Sequence, residues 1–292
     1  MKHSVGRQPV AAIVLNYNGW RDTVACVQSL LKVYMPKSLI GTGEPASTLP
    51  AELIYIVDNA STDDSVSEIR RRCNGARIIK SPGNGGFASG NNLAIRELMK
   101  KVDFIWLLNN DATCKPNSLE ALMDVAGRDE ATGVVGSVVM APDGRDIQAW
   151  GGGRVYAALG ISKHVRAPGR IDFITGASML LRTSALEQTG ILDEGFFLYW
   201  EDVDLCTRMA RAGWKLTVAE RSVIYHKEGA SSSSSARRDR VTSASRVRYF
   251  GKHAALPMIP IILGMLLRMG VRLARLEPAR AWAVLSSTVQ AM

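Results

Sequence analysis

Four short runs, each cut off by Asn, Asp or Gly, punctuate the first 111 residues. Val10–Leu15 precedes Asn16-Tyr17-Asn18, and Leu53–Val57 precedes Asp58-Asn59. Ala76–Lys80 precedes a Gly- and Asn-rich stretch over Pro82–Asn92, and Phe104–Leu108 precedes Asn109-Asn110-Asp111. Runs this short, bounded by turn formers, read as buried strands. Between them lie helical patterns. Asp22–Val33 places Val24, Val27, Leu30 and Leu31 at helix spacing, Ser65–Cys73 has a charged outer face, and a third helix runs to about Lys101. Strand alternating with helix restricts the chain to an α/β architecture, a mainly parallel sheet with helices on both faces.

In an open parallel sheet, ligands bind beyond the carboxyl ends of the strands. All four polar clusters follow strands, so four separate segments gather at one edge. The second half is more mixed. A helix from Pro116 to about Ala126 leads to short strands near Val134–Met140 and Phe173–Leu181, with Gly151–Gly153 and a basic loop, Ser162–Arg170, between them. A helix from Glu201 or Asp202 to Ala212 is followed by two closing strands, Lys215–Val218 and Ser222–His226. Pro36–Pro50 and the low-complexity Ser231–Ser235 read as surface segments.

At 292 residues the chain can bury a sizeable core. Its four cysteines, Cys26, Cys73, Cys114 and Cys206, are widely separated with no CxxC pair. That spacing suggests reduced thiols rather than a disulfide framework or a zinc site. No signal peptide is read at the N-terminus. The net charge of +9 is concentrated at the other end: residues 227–292 hold eleven Lys or Arg against three acids, a balance of +8. A basic tail suits nucleic acid or an anionic membrane. Its neighbours favour the membrane, because Ala254–Leu267 is strongly apolar and Arg268, Arg272 and Arg275 recur at helical spacing. Pro257 and Pro260 interrupt an apolar run too short for a confident span. The expected contact is therefore peripheral, with no nucleic acid. The alternatives are a helix packed on the catalytic domain or a homodimer contact.

The chemistry-bearing residues sit at the strand ends. Asp58 offers an acceptor for a base N–H or a ribose hydroxyl, and Asn59 to Asp63 suits the cap of the next helix. Gly83-Asn84-Gly85-Gly86 lets backbone approach a ligand closely, but it is neither GxGxxG nor a Walker loop. Asp111 at a strand end suits a hard divalent cation that neutralises a diphosphate. His226, ending Val223-Ile224-Tyr225, could add a second ligand. Phe196-Phe197-Leu198-Tyr199-Trp200 runs directly into Glu201, Asp202 and Asp204, three carboxylates in an apolar setting.

The ordered set Leu15-Asn16-Tyr17-Asn18, Val57–Asp63, Gly83–Ala88, Leu108–Ala112, Thr175-Gly176-Ala177, Leu192–Phe197 and Glu201–Cys206 resembles the inverting family 2 glycosyltransferases. Within them the chain looks most like the rhamnosyltransferase branch. The resemblance covers residues 10 to about 250. It implies a GT-A fold, with a Rossmann-like, mainly parallel sheet flanked by helices; the amphipathic helical tail read above lies outside it. It implies a catalytic domain over 1–250, with a nucleotide-sugar half to about 115 and an acceptor half over about 116–230; the basic apolar tail, 251–292, follows as a possible pair of membrane-docking helices. Tyr17, Asn18, Asp58, Asn59, Asn84, Gly86, Asn92 and Asn110 would hold the nucleotide of a dTDP- or UDP-sugar donor. Asn109-Asn110-Asp111 stands at the family's DxD position, with Asn109 replacing its first Asp. Asp111 and His226 would bind Mg2+ or Mn2+.

Asp202 would be the general base, with Glu201 orienting it or touching the acceptor, while Asp204 pairs with Arg208 as helix support. The implied reaction moves L-rhamnose from dTDP-L-rhamnose to a lipid-linked or oligosaccharide acceptor in cell-wall or surface polysaccharide synthesis. It would take place in the cytoplasm at the inner face of the cell membrane. The alternatives are a UDP-GlcNAc, UDP-galactose or UDP-galactofuranose donor, or a catalytically silent sugar-nucleotide-binding protein.

Overall fold

A computed structural model describes residues 8–36, 47–227 and 235–292. Most of the expected loop at Pro36–Pro50, most of Ser231–Ser235 and the extreme N-terminus lie outside the described residues. The first half runs β1 (Gln8–Asn16), α1 (Trp20–Leu30), β2 (Ile54–Asp58), α2 (Ser65–Arg72), β3 (Arg77–Lys80), α3 (Gly86–Leu98) and β4 (Val102–Asn109). Then come β5 (Ala112–Cys114), α4 (Ser118–Arg128), β6 (Thr132–Met140), β7 (Ile147–Trp150), β8 (Gly152–Tyr156), β9 (Ile161–His164) and β10 (Phe173–Ile174). The chain closes with β11 (Ser178–Arg182), α5 (Thr183–Thr189), α6 (Glu201–Arg211), β12 (Lys215–His226), α7 (Ser235–His253), α8 (Met258–Ala274) and α9 (Pro278–Ala291).

β3, β2, β1 and β4 pair in parallel, as the strand–helix alternation requires. β11 then joins antiparallel to both β4 and β6, β12 runs parallel to β6, and β5 closes the order. A small antiparallel sheet, β10-β8-β9, stands apart from the main one. Successive residues of a strand point to opposite faces, and β1 shows the result. Val10, Ala12 and Val14 join Val27 and Leu30 of α1 and Leu122 of α4 in one apolar layer. Ala11 and Ile13 join Ile95 and Leu98 of α3, Val203 and Leu205 of α6, and Phe250 of α7 in the other. Each fully buried Ile or Leu of these layers contributes about 1.5–3 kcal/mol.

Register then decides what meets at the edge. Asn16 aligns with Asp58, and Leu15 aligns with Asn109. Three of the polar clusters therefore end on one line.

Several local expectations give way. The helix expected only after Asn92 already begins at Gly86, because the Asn side chains within it find partners. Asn91 donates to Phe87 O at 2.9 Å, and Asn92 donates to Leu192 O at 2.8 Å. The basic loop at Ser162–Arg170 is partly strand, since β9 pairs with β8. The two closing strands are one, β12, with its irregularity between Ala219 and Val223. All four cysteines are buried free thiols.

The tail departs most. Of the three arginines at helical spacing Arg275 is exposed, whereas Arg268 and Arg272 turn inward and meet the fully buried Asp239 of α7 at 2.9 and 3.0 Å. Arg280 of α9 reaches the same carboxylate at 2.7 Å. Among the described residues, no helix is long and apolar enough to cross a membrane.

Candidate active site

A cavity opens beyond the carboxyl ends of β1, β2 and β4, where the line of polar strand ends lies. Tyr17, Asn59, Asn84, Gly86, Asn110 and Asp111 line it, so six of the expected site residues meet there. The loop after β1 is stapled to the loop after β2: Asn18 donates to Thr62 Oγ1 at 3.2 Å and accepts from the Thr62 amide at 2.8 Å. Asn18 is thus placed as a clamp between loops, in the left-handed backbone that Asn tolerates (φ 50°). Asp58 accepts from Asn16 Nδ2 at 2.9 Å and from the Ser61 amide at 3.1 Å, and each carboxylate oxygen keeps a second lone pair. Asn92 is placed elsewhere, under the 192–194 turn, where it also donates to Glu194 at 2.9 Å.

Asn59 donates to Asn84 Oδ1 and to Gly86 O, both at 3.0 Å, which closes the second and third clusters around the N-terminus of α3. Its own Oδ1 is buried in the cavity wall with no hydrogen-bond partner among the described residues. A buried acceptor left open costs about 1–3 kcal/mol, so it suits a ligand carrying an N–H or hydroxyl donor. Gly86 holds φ +84°, and a Cβ there would lie 2.0 Å from Phe197 O. Its lack of a side chain lets the Phe197 carbonyl accept from the Phe87 amide at 2.7 Å. That bond draws the 196–200 segment across the mouth of the cavity.

The aromatic run divides in two. Phe197, Leu198 and Tyr199 line the cavity, while Phe196 and Trp200 belong to the core. Trp200 packs on Tyr249 and Phe250 of α7, with ring centroids 4.9 and 5.6 Å apart. Tyr199 and Trp200 both hold left-handed backbone, φ 66° and 70°. Each such bulky residue costs about 1–3 kcal/mol, a strain that persists because its surroundings fix it. The paired kink sets where Glu201 and Asp202 begin α6.

Asp202 accepts from the Gly176 amide at 2.9 Å through Oδ2 and from the Val203 amide at 2.8 Å through Oδ1. A Cβ built on Gly176 would lie 3.3 Å from the Phe87 ring and 3.8 Å from the Asp202 Cβ, so Asp202 sits beside the Phe87 wall of the cavity. Burial pushes its pKa up, against the amide bonds and the nearby His164. Glu201 is buried more tightly still. Desolvation first, then the charge of Asp202, drive its pKa well up, and its Oε2 has no hydrogen-bond partner among the described residues. Asp204 takes the structural place expected of it, 2.8 Å from Arg208 and 2.7 Å from His253. Burial opposes its ionisation, but bonds from Lys252, His253 and Arg208 outweigh that and lower its pKa.

At the other end, His226 Nε2 lies 3.1 Å from Asp111 Oδ1 and 3.2 Å from Asn109 Nδ2. Gln148 donates to His226 O at 3.0 Å, which turns its own Oε1 to the ring Nδ1 at 3.3 Å. In the tautomer that carries its proton on Nδ1, Gln148 Oε1 accepts that proton and the Nε2 lone pair is turned toward Asp111 and Asn109. Two electron-rich atoms so placed fit a divalent cation, with the second nitrogen oriented by an outer partner. Among the described residues no group of three or more His, Cys, Asp or Glu could hold a metal, so Asp111 and His226 would supply two ligands and leave the rest to substrate and water. Sequence reasoning missed Arg237, Arg238 and Val241 of α7, which also line the cavity. No local motif marks them; tertiary packing delivers them.

The sequence model described as Glycosyl transferase family 2 matches residues 11–190, more than half of the chain. The N-acetylglucosaminyl-diphospho-decaprenol L-rhamnosyltransferase of Mycobacterium tuberculosis is 27% identical over 226 residues, which cover 68% of this chain and 72% of that protein. Among solved structures, GalNAc-T7 with UDP, GalNAc and Mn2+ superposes with a TM-score of 0.65 at 14% identity, over 96% of this chain and 55% of that one. The mannosyltransferase PcManGT of Pyrobaculum calidifontis, with GDP-Man and Mn2+, gives 0.62 at 16% identity, over 98% and 88%. At these identities the two structures speak for a shared GT-A fold.

Proposed function

The chain belongs to glycosyl transferase family 2, and from that membership and this site we propose that it moves L-rhamnose from dTDP-L-rhamnose to a lipid-linked glycan acceptor. The observation that carries the reading is the pairing of a polar cavity at the strand ends with one half-buried, amide-anchored carboxylate, Asp202, beside it. The rhamnosyltransferase name of the mycobacterial relative supports the choice of donor sugar. Surface or cell-wall polysaccharide synthesis at the cytoplasmic membrane face is the setting this substrate pair implies.

In this reading the nucleoside lies along Tyr17, Asp58, Asn59 and Asn84, where the open Asn59 Oδ1 receives a donor from it. The acceptor hydroxyl enters past Phe197, Leu198 and Tyr199 and attacks the anomeric carbon from the side of Asp202. As the new C–O bond forms, the hydroxyl proton passes to Asp202, and the bond to the diphosphate breaks with inversion. A carboxylate with a raised pKa holds that proton better than an exposed one does. The two backbone amides fix its direction at no cost at the moment of reaction. Negative charge then collects on the leaving diphosphate, where Arg237 and Arg238 supply cationic charge. A divalent cation held by Asp111 and His226 would add Lewis-acid stabilisation of the same charge.

The test is turnover of a nucleotide-sugar panel that includes dTDP-L-rhamnose and UDP-sugars, with and without Mn2+, alongside thermal stabilisation by each donor. Selective stabilisation and slow hydrolysis with dTDP-L-rhamnose are expected. Turnover with a UDP-sugar alone overturns the donor assignment. Binding without any turnover, in the presence of acceptor extracts and metal, overturns the enzyme.

A further inference from the structure

Helix α8 is built inside out. The residues that turn toward the protein recur every four positions: Pro260 and Gly264 are buried, and Arg268 and Arg272 reach Asp239. Gly264 packs against backbone, since a Cβ there would lie 2.5 Å from Gly160 O. The outward stripe is apolar: Ile259 is 52% exposed, Ile262 40%, Leu263 40%, Leu266 53% and Leu273 53%. A helix in water normally presents the reverse. Leu276, in the α8–α9 turn, is 89% exposed, and Trp282 of α9 is 66% exposed. An apolar face this continuous on a soluble domain marks an interaction surface.

We propose that this face beds into the outer hydrocarbon of a lipid bilayer, with α8 lying flat and its arginines withheld from the headgroups. The reading goes beyond the transferase activity and does not depend on which donor is used. Charge selects the occupant. Over 235–292 the acids are Asp239 and Glu277. Asp239 is buried under Arg268, Arg272 and Arg280, and Glu277 pairs with Arg272 and Arg280 at 3.2 and 2.8 Å. The two acids of the segment are thus neutralised, while Arg275, at the end of α8 beside the stripe, is an exposed cation. Apolar centre with cationic rim complements a phosphate-bearing surface over hydrocarbon. A second copy of the same face would set cation against cation. An exposed Trp beside the stripe also suits the bilayer interface. α8 spans ~25 Å at 1.5 Å per residue, a helix that lies along a membrane and does not cross it.

The full chain is floated with phosphatidylcholine vesicles, with and without phosphatidylglycerol, at low and high salt. Binding to both vesicle types is expected, stronger on the anionic ones, with a salt-resistant part carried by the apolar stripe. Leu263→Glu/Leu266→Glu, both on solvent, should keep the wild-type melting curve and lose roughly tenfold or more of the vesicle binding. Arg275→Glu should lose only the added binding to anionic vesicles. Wild-type binding by the double variant overturns the proposal, as does no vesicle binding by the wild type. A wild-type dimer in sedimentation that the double variant dissociates, without vesicle binding, assigns the face to a second copy. No sugar nucleotide enters this assay, so the two tests are independent: vesicle binding here together with no turnover in the nucleotide-sugar panel would sink the proposed reaction and leave this inference standing.

Discussion

Replacing Asp239 by Asn tests whether one buried charge holds the C-terminal helices together. In the native protein Oδ1 accepts from Arg268 Nε at 3.1 Å, Arg268 Nη2 at 2.9 Å and Arg272 Nη2 at 3.0 Å, and Oδ2 accepts from Arg280 Nε at 2.7 Å. An Asn fills the same space and keeps the Oδ1 bonds as weaker charge–dipole bonds. Its NH2 then faces the Arg280 N–H, so one bond is lost and two donors oppose each other. Arg272 and Arg280 are left with Glu277 as their acid partner, and Arg268 loses its ion pair. Removing one partner of a buried ion pair costs about 3–5 kcal/mol. Arg268 is 31% exposed and can recover water, which brings the expected loss to the lower end, about 3 kcal/mol. The melting midpoint, followed by circular dichroism, should fall by roughly 5–10 °C at neutral pH.

Acid supplies an internal control. Burial opposes ionisation of Asp239, but hydrogen bonds from Arg280, Arg268 and Arg272 outweigh it and lower its pKa in the folded protein. A lowered carboxylate pKa stabilises the fold above the unfolded value of about 3.9, and that contribution is lost as pH falls through the folded value. The gap between wild type and Asp239→Asn should therefore be full above pH ~5 and close in stronger acid. Melting curves that coincide within about 1 °C at pH 7 would refute the clamp, and a gap that persists unchanged in acid would refute its ionic origin.

Asp202→Asn should lower kcat by about 10²–10⁴ while the thermal shift given by the donor survives, because the residue acts on the acceptor proton. In the wild type, kcat/KM should rise with pH through the raised Asp202 pKa, placing the acid limb above that of an exposed carboxylate; a limb near pH 4 would remove Asp202 as the base. The raised Glu201 pKa stabilises the fold below the unfolded value of about 4.3 and is lost as pH rises through the folded one, so Glu201→Gln should flatten the fall in melting temperature with pH. Arg237→Ala/Arg238→Ala should cost roughly tenfold or more in kcat/KM for the donor, read by initial rates, with the fold unchanged by circular dichroism. His226→Ala should reduce the extra thermal shift that Mn2+ adds to donor binding; an undiminished shift would place the cation elsewhere.

Most of the parallel half of the sheet was legible because β1, β2 and β4 are buried on both faces and end in turn formers. Val10–Leu15 and Phe104–Leu108 could be little else. From that pattern alone the edge where Asn16, Asp58 and Asn109 align also followed. The long-range polar bonds did not show. Asn91 and Asn92 look like turn residues until the Leu192 carbonyl, a hundred positions away, gives Asn92 a buried partner. The Arg268 and Arg272 spacing was visible, but spacing does not reveal which side of a helix faces the protein. Only the position of Asp239, on another helix, settles it. Arg237 and Arg238 escaped for the same reason: their place in the cavity comes from how Tyr249 and Phe250, further along α7, dock on Trp200.

Residues 237, 238 and 239 are covalent neighbours at the start of α7, yet they answer to different parts of the molecule. Two border the cavity, and the third is locked under three arginines from α8 and α9. A helix does not let adjacent residues move independently. Drawing the backbone of the arginine pair away from the cavity therefore requires one of two motions: unwinding the first turn of α7 ahead of Asp239, or tilting all three terminal helices as a unit. The arginine edge of the cavity and the apolar outer face of α8 are in this sense two ends of a single lever, and a load on one end is felt at the other.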